Sequence, residues 1–420
     1  MKIQSVRGTH DLYAQQLEKF KFIIEIVNTY AHIYDFNEII TPIFELTELF
    51  LKPLGEHSDV VLKEMYTFDD RNDSSLTLRP EYTTPIIRAA ISNNLLERLP
   101  TKLYGIGPMF RRERPQKGRF RQFNQINFEI LGTNDMAADV ELILLADDIL
   151  KKIFLNKKIK LVINSLGDKD TLKKFKHYLS VYFKKNKSKL SIDSLNRIES
   201  NPLRILDSKN KNDNDVSQEA PKISDFYSEE AKNKFEDIKN LLTNHSVEFE
   251  VNHSLVRGLD YYCHTVFEFK SNELGSQDTL IGGGRYDGLT KTLGGPDIPG
   301  VGWAGGVERI MMLIEKDIKV QQKIHLVVMK EDFRSYGLDI LNKLRKNNIP
   351  VFFDYKYNLK KSLSFANLPT SSFTCLDEII IFSPFLSGAV KLIFSINFSI
   401  SPQPGIYFWV KSFSDCFSNK

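Results

Sequence analysis

Cysteine is scarce in this 420-residue chain, which holds only Cys263, Cys375 and Cys416. Three thiols so far apart make a disulfide framework implausible, and no C-x-x-C pair or H-E-x-x-H helix supplies a zinc pattern, so no metal-ligating residues are expected. No run of about 18 uncharged apolar residues is present to cross a membrane, and the opening MKIQSVRGTHDLYAQQ lacks the apolar stretch of a secretory signal. A reducing, cytoplasmic setting is expected. Strong charge bias is missing as well, because 57 Lys and Arg stand against 53 Asp and Glu for a net charge of +4. That excess permits an RNA partner without demanding one, since a polyanion site needs clustered charge. No glycine run continues into G-K-[ST], which excludes a P-loop.

The chain is 42% hydrophobic and 26% charged, an ordinary globular composition with length for two or three domains. From about Asn367 onward the character changes: charge becomes sparse, Phe and Ser dominate, and Cys375, Cys416 and Trp409 all fall there.

Periodicity predicts an amphipathic helix after Asp11, with Phe20, Ile23, Ile24, Val27, Tyr30, Ala31 and Tyr34 on its apolar face, ending near Asp35. An extended segment from Glu38 to Thr47 follows, confined by Pro42 to an edge or irregular strand. Strand-like runs at Leu76 to Leu78, Leu103 to Ile106 and Asn124 to Leu131 predict hairpins, and Ala137 to Phe154 a further helix. Ile159 to Leu166, Val247 to Val251 and Val266 to Lys270 read as strands. Lys169 to Asn186 and Ala231 to Asn244 read as Lys-rich helices, with Asp207 to Lys222 between them as a surface loop. After Lys323, IHLVVM, a helix over Phe333 to Asn347 and IPVFFDY make a βαβ unit with parallel strands, which places a domain boundary near residue 320.

Three segments carry chemistry. FRRERPQKGRFRQF, between two apolar strands, concentrates Arg111, Arg112, Arg114, Lys117, Arg119 and Arg121. Guanidinium forks stay charged and match phosphate oxygens, so the loop suits a triphosphate or an RNA end; a solvated turn is the plainer alternative. LVRGLDYY sets Arg257 beside Gly258, Tyr261 and Tyr262, where a packed aromatic strand end is the plain alternative. GGGRYDGL lets backbone approach a ligand closely, although a tight turn is the commoner meaning. GVGWAG, Gly300 to Gly305, fits G-x-G-x-x-G in form only, because GGPDIP rather than an apolar strand precedes it.

Together these segments, in this order, resemble the class II aminoacyl-tRNA synthetases, and within them the histidyl-tRNA synthetase family, over about residues 3 to 366. VRGTHD is similar to the family's N-terminal signature, and Pro42 sits at its dimer-forming first motif. FRRERPQKGRFRQF resembles the second class motif and GVERI the third. LRPEYTTP, LVRGLDYY and GGGRYDGL resemble the histidine-specific elements. The resemblance implies an α+β fold: a catalytic domain over 1–320 on an antiparallel sheet, with a helical insertion at about 167–245, then a smaller α/β anticodon-binding-like domain over 323–420. It also implies a homodimer.

The implied reaction joins L-histidine to ATP, giving histidyl-adenylate and diphosphate, and then passes the histidyl group to the terminal ribose of tRNA(His). ATP is the substrate, accompanied by Mg2+. By resemblance, Arg111 holds the α-phosphate and the substrate carboxylate, and Arg257 contacts the α-phosphate from the opposite side. Arg309 binds the γ-phosphate and covers the adenine, Phe123 stacks on its other face, and Arg119 is a second γ-phosphate candidate. Glu81, Thr83 and Gln125 match the positions that take the ammonium group, while Glu129, Tyr262 and Tyr261 match those around the imidazole. Arg114 and Gln116 would approach the tRNA acceptor end. The alternative is a catalytically inactive, synthetase-like regulatory subunit of histidine biosynthesis, against which the retained Arg111, Arg257 and Arg309 argue. A class II synthetase for another amino acid is disfavoured by LVRGLDYY and GGGRYDGL.

The family pattern runs through LKKSLSFAN, Leu359 to Asn367, and stops. Residues 368–420 are either a diverged half-domain, with a third strand at Glu378 to Phe382 and a late one at Gly405 to Val410, or the product of a reading-frame change near Asn367.

Overall fold

Strand alternation sorts the residues of the central sheet before any packing is considered. In QFNQINFEIL, Phe123, Gln125, Asn127, Glu129 and Leu131 point to one face, and Ile126, Phe128 and Ile130 to the other. The computed structural model describes residues 3–55, 58–155, 158–208, 210–275, 278–315, 318, 324–328, 331–355, 373–376 and 379–382. The chain divides into two compact units, Met1–Ile318 and Lys319–Lys420.

In the first unit the strands are β1 (Asn37–Glu38), β2 (Phe44–Leu46), β3 (Tyr66–Asp69), β4 (Ser75–Leu78), β5 (Thr101–Phe110), β6 (Gln122–Leu131), β7 (Lys160–Ser165), β8 (Phe249–Val251), β9 (Cys263–Lys270), β10 (Thr279–Arg285) and β11 (Gly300–Gly306). Eight of them form one sheet in the order β1-β5-β6-β11-β10-β9-β7-β8. From β5 through β7 every pairing is antiparallel, and the two edge strands add in parallel. Ile126, Phe128, Ile130, Phe267, Phe269 and Trp303 pack under the helices Ala14–Ile33 and Met136–Ile153 in one core. Leu131, Val162 and Val266 belong to a second core with Phe175, Leu179 and Ile86. The polar residues of β6 share the face of this second core, and there the chemistry sits.

β2, β4 and β3 make a separate small sheet. The expected extended segment from Glu38 to Thr47 is thus broken in two: β1 joins the large sheet beside Leu103 and Tyr104, and β2 pairs with β4 instead. Arg79, buried at the junction, ties the halves together. Its Nε donates to the Pro108 carbonyl at 2.9 Å and its Nη1 to the Thr41 carbonyl at 2.9 Å.

Two readings from composition give way to the structure. The polar stretch Asp207 to Lys222 is not simply a loop, since Lys211–Gln218 is a helix. Buried Asp213 organises it by accepting from the Ser191 amide at 2.7 Å and from the hydroxyls of Ser191, Ser194 and Ser208 at 2.6 to 2.7 Å. That stabilisation is tertiary and leaves no trace in hydrophobic periodicity. The three consecutive glycines of GGGRYDGL form no turn either; they lie within β10, paired to β11, Gly283 to Trp303 and Gly284 to Gly302.

In the second unit, β12 (Ile324–Val328), the helix Arg334–Lys346 and β13 (Val351–Asp354) form the expected βαβ element, with β12 and β13 parallel. β14 (Phe373–Leu376) and β15 (Ile379–Phe382) extend it antiparallel in the order β13-β12-β15-β14. The core of this unit is Leu326, Val328, Ile340, Leu341, Leu344, Val351 and Phe353. The proposed late strand at Gly405 to Val410 lies outside the described residues.

Candidate active site

A cavity enclosing about 170 Å³ opens on the polar face of the large sheet. Its wall brings together Glu81, Thr83, Arg111, Arg119, Phe123, Gln125, Arg257, Tyr261, Tyr262 and Arg309, which come from segments spread over more than half the chain. Of the other expected site residues, Glu129 lies fully buried behind the wall. Arg114 and Gln116 are exposed on the connection between β5 and β6, away from the cavity. That connection closes in a tight turn, where the Gln116 and Arg119 backbones exchange hydrogen bonds of 3.2 and 2.9 Å.

One end of the cavity is crowded with cations. Arg309, on the helix that follows β11, donates from Nε to the Gly118 carbonyl and from Nη1 to the Thr279 carbonyl, each at 2.9 Å. Burial, together with repulsion from Arg111 and Arg119, pulls its pKa down to about 10. Arg111 donates to the Pro80 carbonyl at 2.8 Å, and its guanidinium lies 5.4 Å from the centre of the Phe123 ring. Arg119 is clasped by Glu113 and lies 3.9 Å from Glu64. Guanidinium groups crowded together in this way suit a polyanion, which relieves their repulsion.

Also in the wall, Arg257 is ion-paired with Glu268, and Glu268 also takes Lys270 at 3.0 Å and the Thr279 hydroxyl at 3.1 Å. Burial works against the Arg257 charge, but Glu268, with Tyr262 and Tyr261, outweighs it and holds the pKa above the ordinary arginine value. Gly282 makes room for this group, because a Cβ there would overlap the Arg257 guanidinium.

The other end is built of carboxyls and phenols. Glu81 accepts from the amides of Thr83 and Thr84 at 2.9 Å and from the Thr84 hydroxyl, capping the helix Thr83–Ser92. Burial raises its pKa, against those hydrogen bonds. Glu129 accepts from the Thr83 hydroxyl at 2.7 Å and from the Tyr286 hydroxyl, and burial pushes its pKa up to about 8. Tyr261 packs against Tyr262 and Tyr286, with ring centres 4.6 and 5.7 Å away. The Gln125 Oε1 is buried without a partner, a polar atom awaiting a donor.

Sequence reasoning passed over four participants: Glu113, Glu268, Tyr286 and Glu308. Glu308 fixes Asn124 by accepting from its amide at 2.9 and 3.0 Å and from its Nδ2 at 2.8 Å. Glu268 had a signal, a lone acid inside the apolar alternation of TVFEF. Tyr286 had none beyond its place in GGGRYDGL, because its partner Glu129 is 157 residues away.

An antiparallel sheet carrying an arginine-walled cavity is the architecture of a class II aminoacyl-tRNA synthetase catalytic unit, and the likeness to known proteins agrees. The family model described as Histidyl-tRNA synthetase matches residues 8–310. A Histidine–tRNA ligase of Wolbachia pipientis wMel is 47% identical over 367 residues, covering 87% of this chain and 90% of that protein. One of Ehrlichia ruminantium strain Welgevonden is 47% identical over 368 residues, covering 87% and 88%. The crystal structure of apo S. aureus histidyl-tRNA synthetase superposes with a TM-score of 0.70 at 33% identity, covering 87% of this chain and 89% of that one. The chain therefore belongs to the histidyl-tRNA synthetase family. A Bacillus halodurans C structure titled as an ATP phosphoribosyltransferase regulatory subunit/histidyl-tRNA synthetase shares the fold at 19% identity with a TM-score of 0.62. Identity of 47% to histidine–tRNA ligases over most of the chain favours the synthetase family over the inactive-subunit alternative.

Proposed function

We propose that the cavity performs both steps of histidyl-tRNA synthesis, with the arginine end taking ATP and the carboxyl–phenol end taking histidine. The observation that carries this reading is the convergence of Arg111, Arg119, Arg257 and Arg309 on one cavity that also holds Glu81, Thr83 and Gln125. In the first step a carboxylate oxygen of histidine attacks the α-phosphorus of ATP, the bond to the β-phosphate oxygen breaks, and diphosphate leaves. Negative charge builds on the phosphoryl oxygens, so fixed cations and alignment do the work that a general base would do elsewhere. Arg111 and Arg257 flank the α-phosphate, Arg309 and Arg119 hold the γ-phosphate, and Phe123 takes a face of the adenine. In the second step a hydroxyl of the terminal ribose attacks the acyl carbon and AMP leaves.

For the substrate amino acid, Glu81, Thr83 and Gln125 receive the ammonium group, and Gln125 supplies the waiting acceptor. Glu129, with Tyr261 and Tyr262, reads the imidazole, whose two nitrogens need one donor and one acceptor. An amino acid without them leaves buried polar groups unpaired, so selectivity follows from binding alone. Glu268 and Glu308 are already engaged with Arg257 and Asn124, so Mg2+ enters on the phosphates of ATP. The exposure of Arg114 and Gln116 on the turn supports a role for them at the tRNA acceptor end.

The unit 1–318 is the catalytic domain and the βαβ unit an anticodon-binding domain. No helix among the described residues is long and apolar enough to cross a membrane, and a role in translation places the enzyme in the cytoplasm. Dimerisation is supported by an uncovered apolar sheet face. Phe44, Leu46 and Phe68 lie on one side of the β2-β4-β3 sheet and are 54%, 57% and 44% exposed. Histidine-dependent exchange of diphosphate into ATP tests the reading, and folded protein that gives no exchange would refute it.

A further inference from the structure

Behind the two pocket tyrosines lies a cluster that the reaction does not use. Cys263 follows Tyr262, Asp287 follows Tyr286, and His264 stands between them. One ligand atom from each of Cys263, His264 and Asp287 lies within 4.8 Å of the other two. We propose that these three residues form a binding site for a divalent transition-metal ion of the zinc class, which staples the start of β9 to the end of β10.

Three features set the cluster apart from ordinary packing. His264 adopts φ 46°, a left-handed conformation uncommon for residues with a Cβ, among which Asn, Asp and His adopt it most readily. It occupies a bulge in the ladder, for Val266 pairs with Gly284 while Cys263 pairs with Arg285. Its Nδ1 is shut away from solvent with no hydrogen-bond partner, a cost that a metal bond would remove. The backbone of the bulge is pinned to the segment just after β7, with the His264 amide donating to the Gly167 carbonyl at 2.8 Å and its carbonyl accepting from the Leu166 amide at 2.6 Å.

The donor set and the charge both fit. Thiolate, imidazole and carboxylate together suit zinc or cobalt better than magnesium or calcium, which seek oxygen alone. Bonds of about 2.0 to 2.3 Å would draw the three donors inward by no more than about an ångström, leaving a fourth position for water. Arg285 is neutralised by buried Asp139. On binding, the Cys263 thiol gives its proton to solvent, so that thiolate and Asp287 carboxylate match a divalent ion. Lys234 approaches from the helix Glu229–Asn244 but is paired with Glu230 at 2.8 Å. Asp168, on the same side, accepts from Ser228 at 2.6 Å. Asp287 Oδ1 is oriented by the Gly300 amide at 3.2 Å and by Arg285 at 3.4 Å, as carboxylate ligands commonly are. No spacing motif announces the site, because its ligands come from two different strand ends.

The test uses the full chain with Cys375→Ser and Cys416→Ser, so that Cys263 is the only thiol, and titrates it with Co2+ followed by Zn2+. One equivalent of Co2+ with a thiolate-to-cobalt charge-transfer band, displaced by Zn2+ and accompanied by a rise in Tm, is expected. Adding Cys263→Ser should abolish the band. His264→Asn, which tolerates the positive φ, and Asp287→Asn should each weaken binding at least tenfold. Absence of saturable one-to-one binding, or binding unchanged in His264→Asn and Asp287→Asn, would overturn the site even if Cys263→Ser failed to fold.

Discussion

Gly302 leaves the space that the Glu129 carboxylate fills. The two residues are paired across β11 and β6, and a Cβ on Gly302 would overlap Oε2 of Glu129. Glu129 in turn joins Thr83 to Tyr286 beneath the phenol-lined end of the cavity. Gly302→Ala should therefore push the carboxyl out of register with both hydroxyls while leaving the arginine end in place. The expected result in diphosphate exchange is a rise in KM for histidine of roughly 5- to 150-fold, the consequence of about 1–3 kcal/mol of lost buried hydrogen bonding. KM for ATP should change little, and an equal rise in both would show that the glycine serves the whole sheet instead.

Arg257 depends on its fork and on Glu268. Lysine at that position keeps a positive charge but can neither reach two oxygens at once nor fill the space above Gly282. Arg257→Lys should lower kcat by about 10²- to 10³-fold, the scale of removing one donor from a transition-state charge site. Its KM values should stay within a few-fold of the parent. Single-turnover formation of histidyl-adenylate measures this directly.

These two relationships differ in how far they could be read from the chain. Arg257 stood out as a cation in an apolar, Gly-containing segment, and the alternation in β6 already put Gln125 and Glu129 on one face with Asn127. Arg111, Arg119 and Arg309 were visible as residue types in motif order. Their crowding was not, since repulsion among groups up to 198 residues apart exists only after folding. The role of Gly302 was hidden for a similar reason: a glycine in a strand looks like a turn or a weakness until the side chain that needs its space is known. Helix Lys211–Gln218 escaped notice because one buried carboxylate, Asp213, holds it rather than an apolar face.

The raised pKa of Glu129 has a consequence for stability. Below about pH 4.5 the carboxyl is protonated both folded and unfolded. Between there and about 8 the unfolded chain ionises freely while the folded protein keeps the proton. The contribution of Glu129 to stability is thus fully present at low pH, declines as pH rises through this window, and is flat above it. Glu129→Gln cannot ionise. The difference in unfolding free energy between parent and variant, measured by denaturant titration across pH 4.5 to 8, should fall with pH, and a difference independent of pH would contradict the assignment.

The segment 368–420 separates the two chemical steps. The relative from Wolbachia pipientis wMel matches over 367 residues, 87% of this chain. On the proposed assignment, adenylate formation needs only the cavity of the first unit, whereas tRNA charging would also draw on the second unit as an anticodon-binding domain. Exchange of diphosphate should be robust while charging of tRNA(His) is weak, with the deficit in KM for tRNA. Restoring a charged, helix-compatible ending by a one-base shift in the gene should recover charging alone. Normal charging by the 420-residue chain would contradict the predicted defect.

The exposed side of the small sheet should hold the dimer together. Leu76 and Leu78 of β4 lie between Phe44 and Leu46 on one flank and Tyr66 and Phe68 on the other, so six apolar side chains share one face. The opposite face is polar, with the Thr77 hydroxyl bonded to Thr47 and Thr67 at 2.9 and 3.0 Å. An apolar face of this kind is costly in water and is covered when a second copy binds. Phe44→Glu places a charge at its edge without touching the buried hydroxyl network, so the fold should survive and association should not. Light scattering should show the parent as a dimer and the variant as a monomer at micromolar concentration. Because β4 leads through Arg79 and Glu81 into the cavity, the monomer should also lose histidine-dependent exchange, and adding a chain that keeps Phe44 but is slowed by Arg257→Lys should restore it.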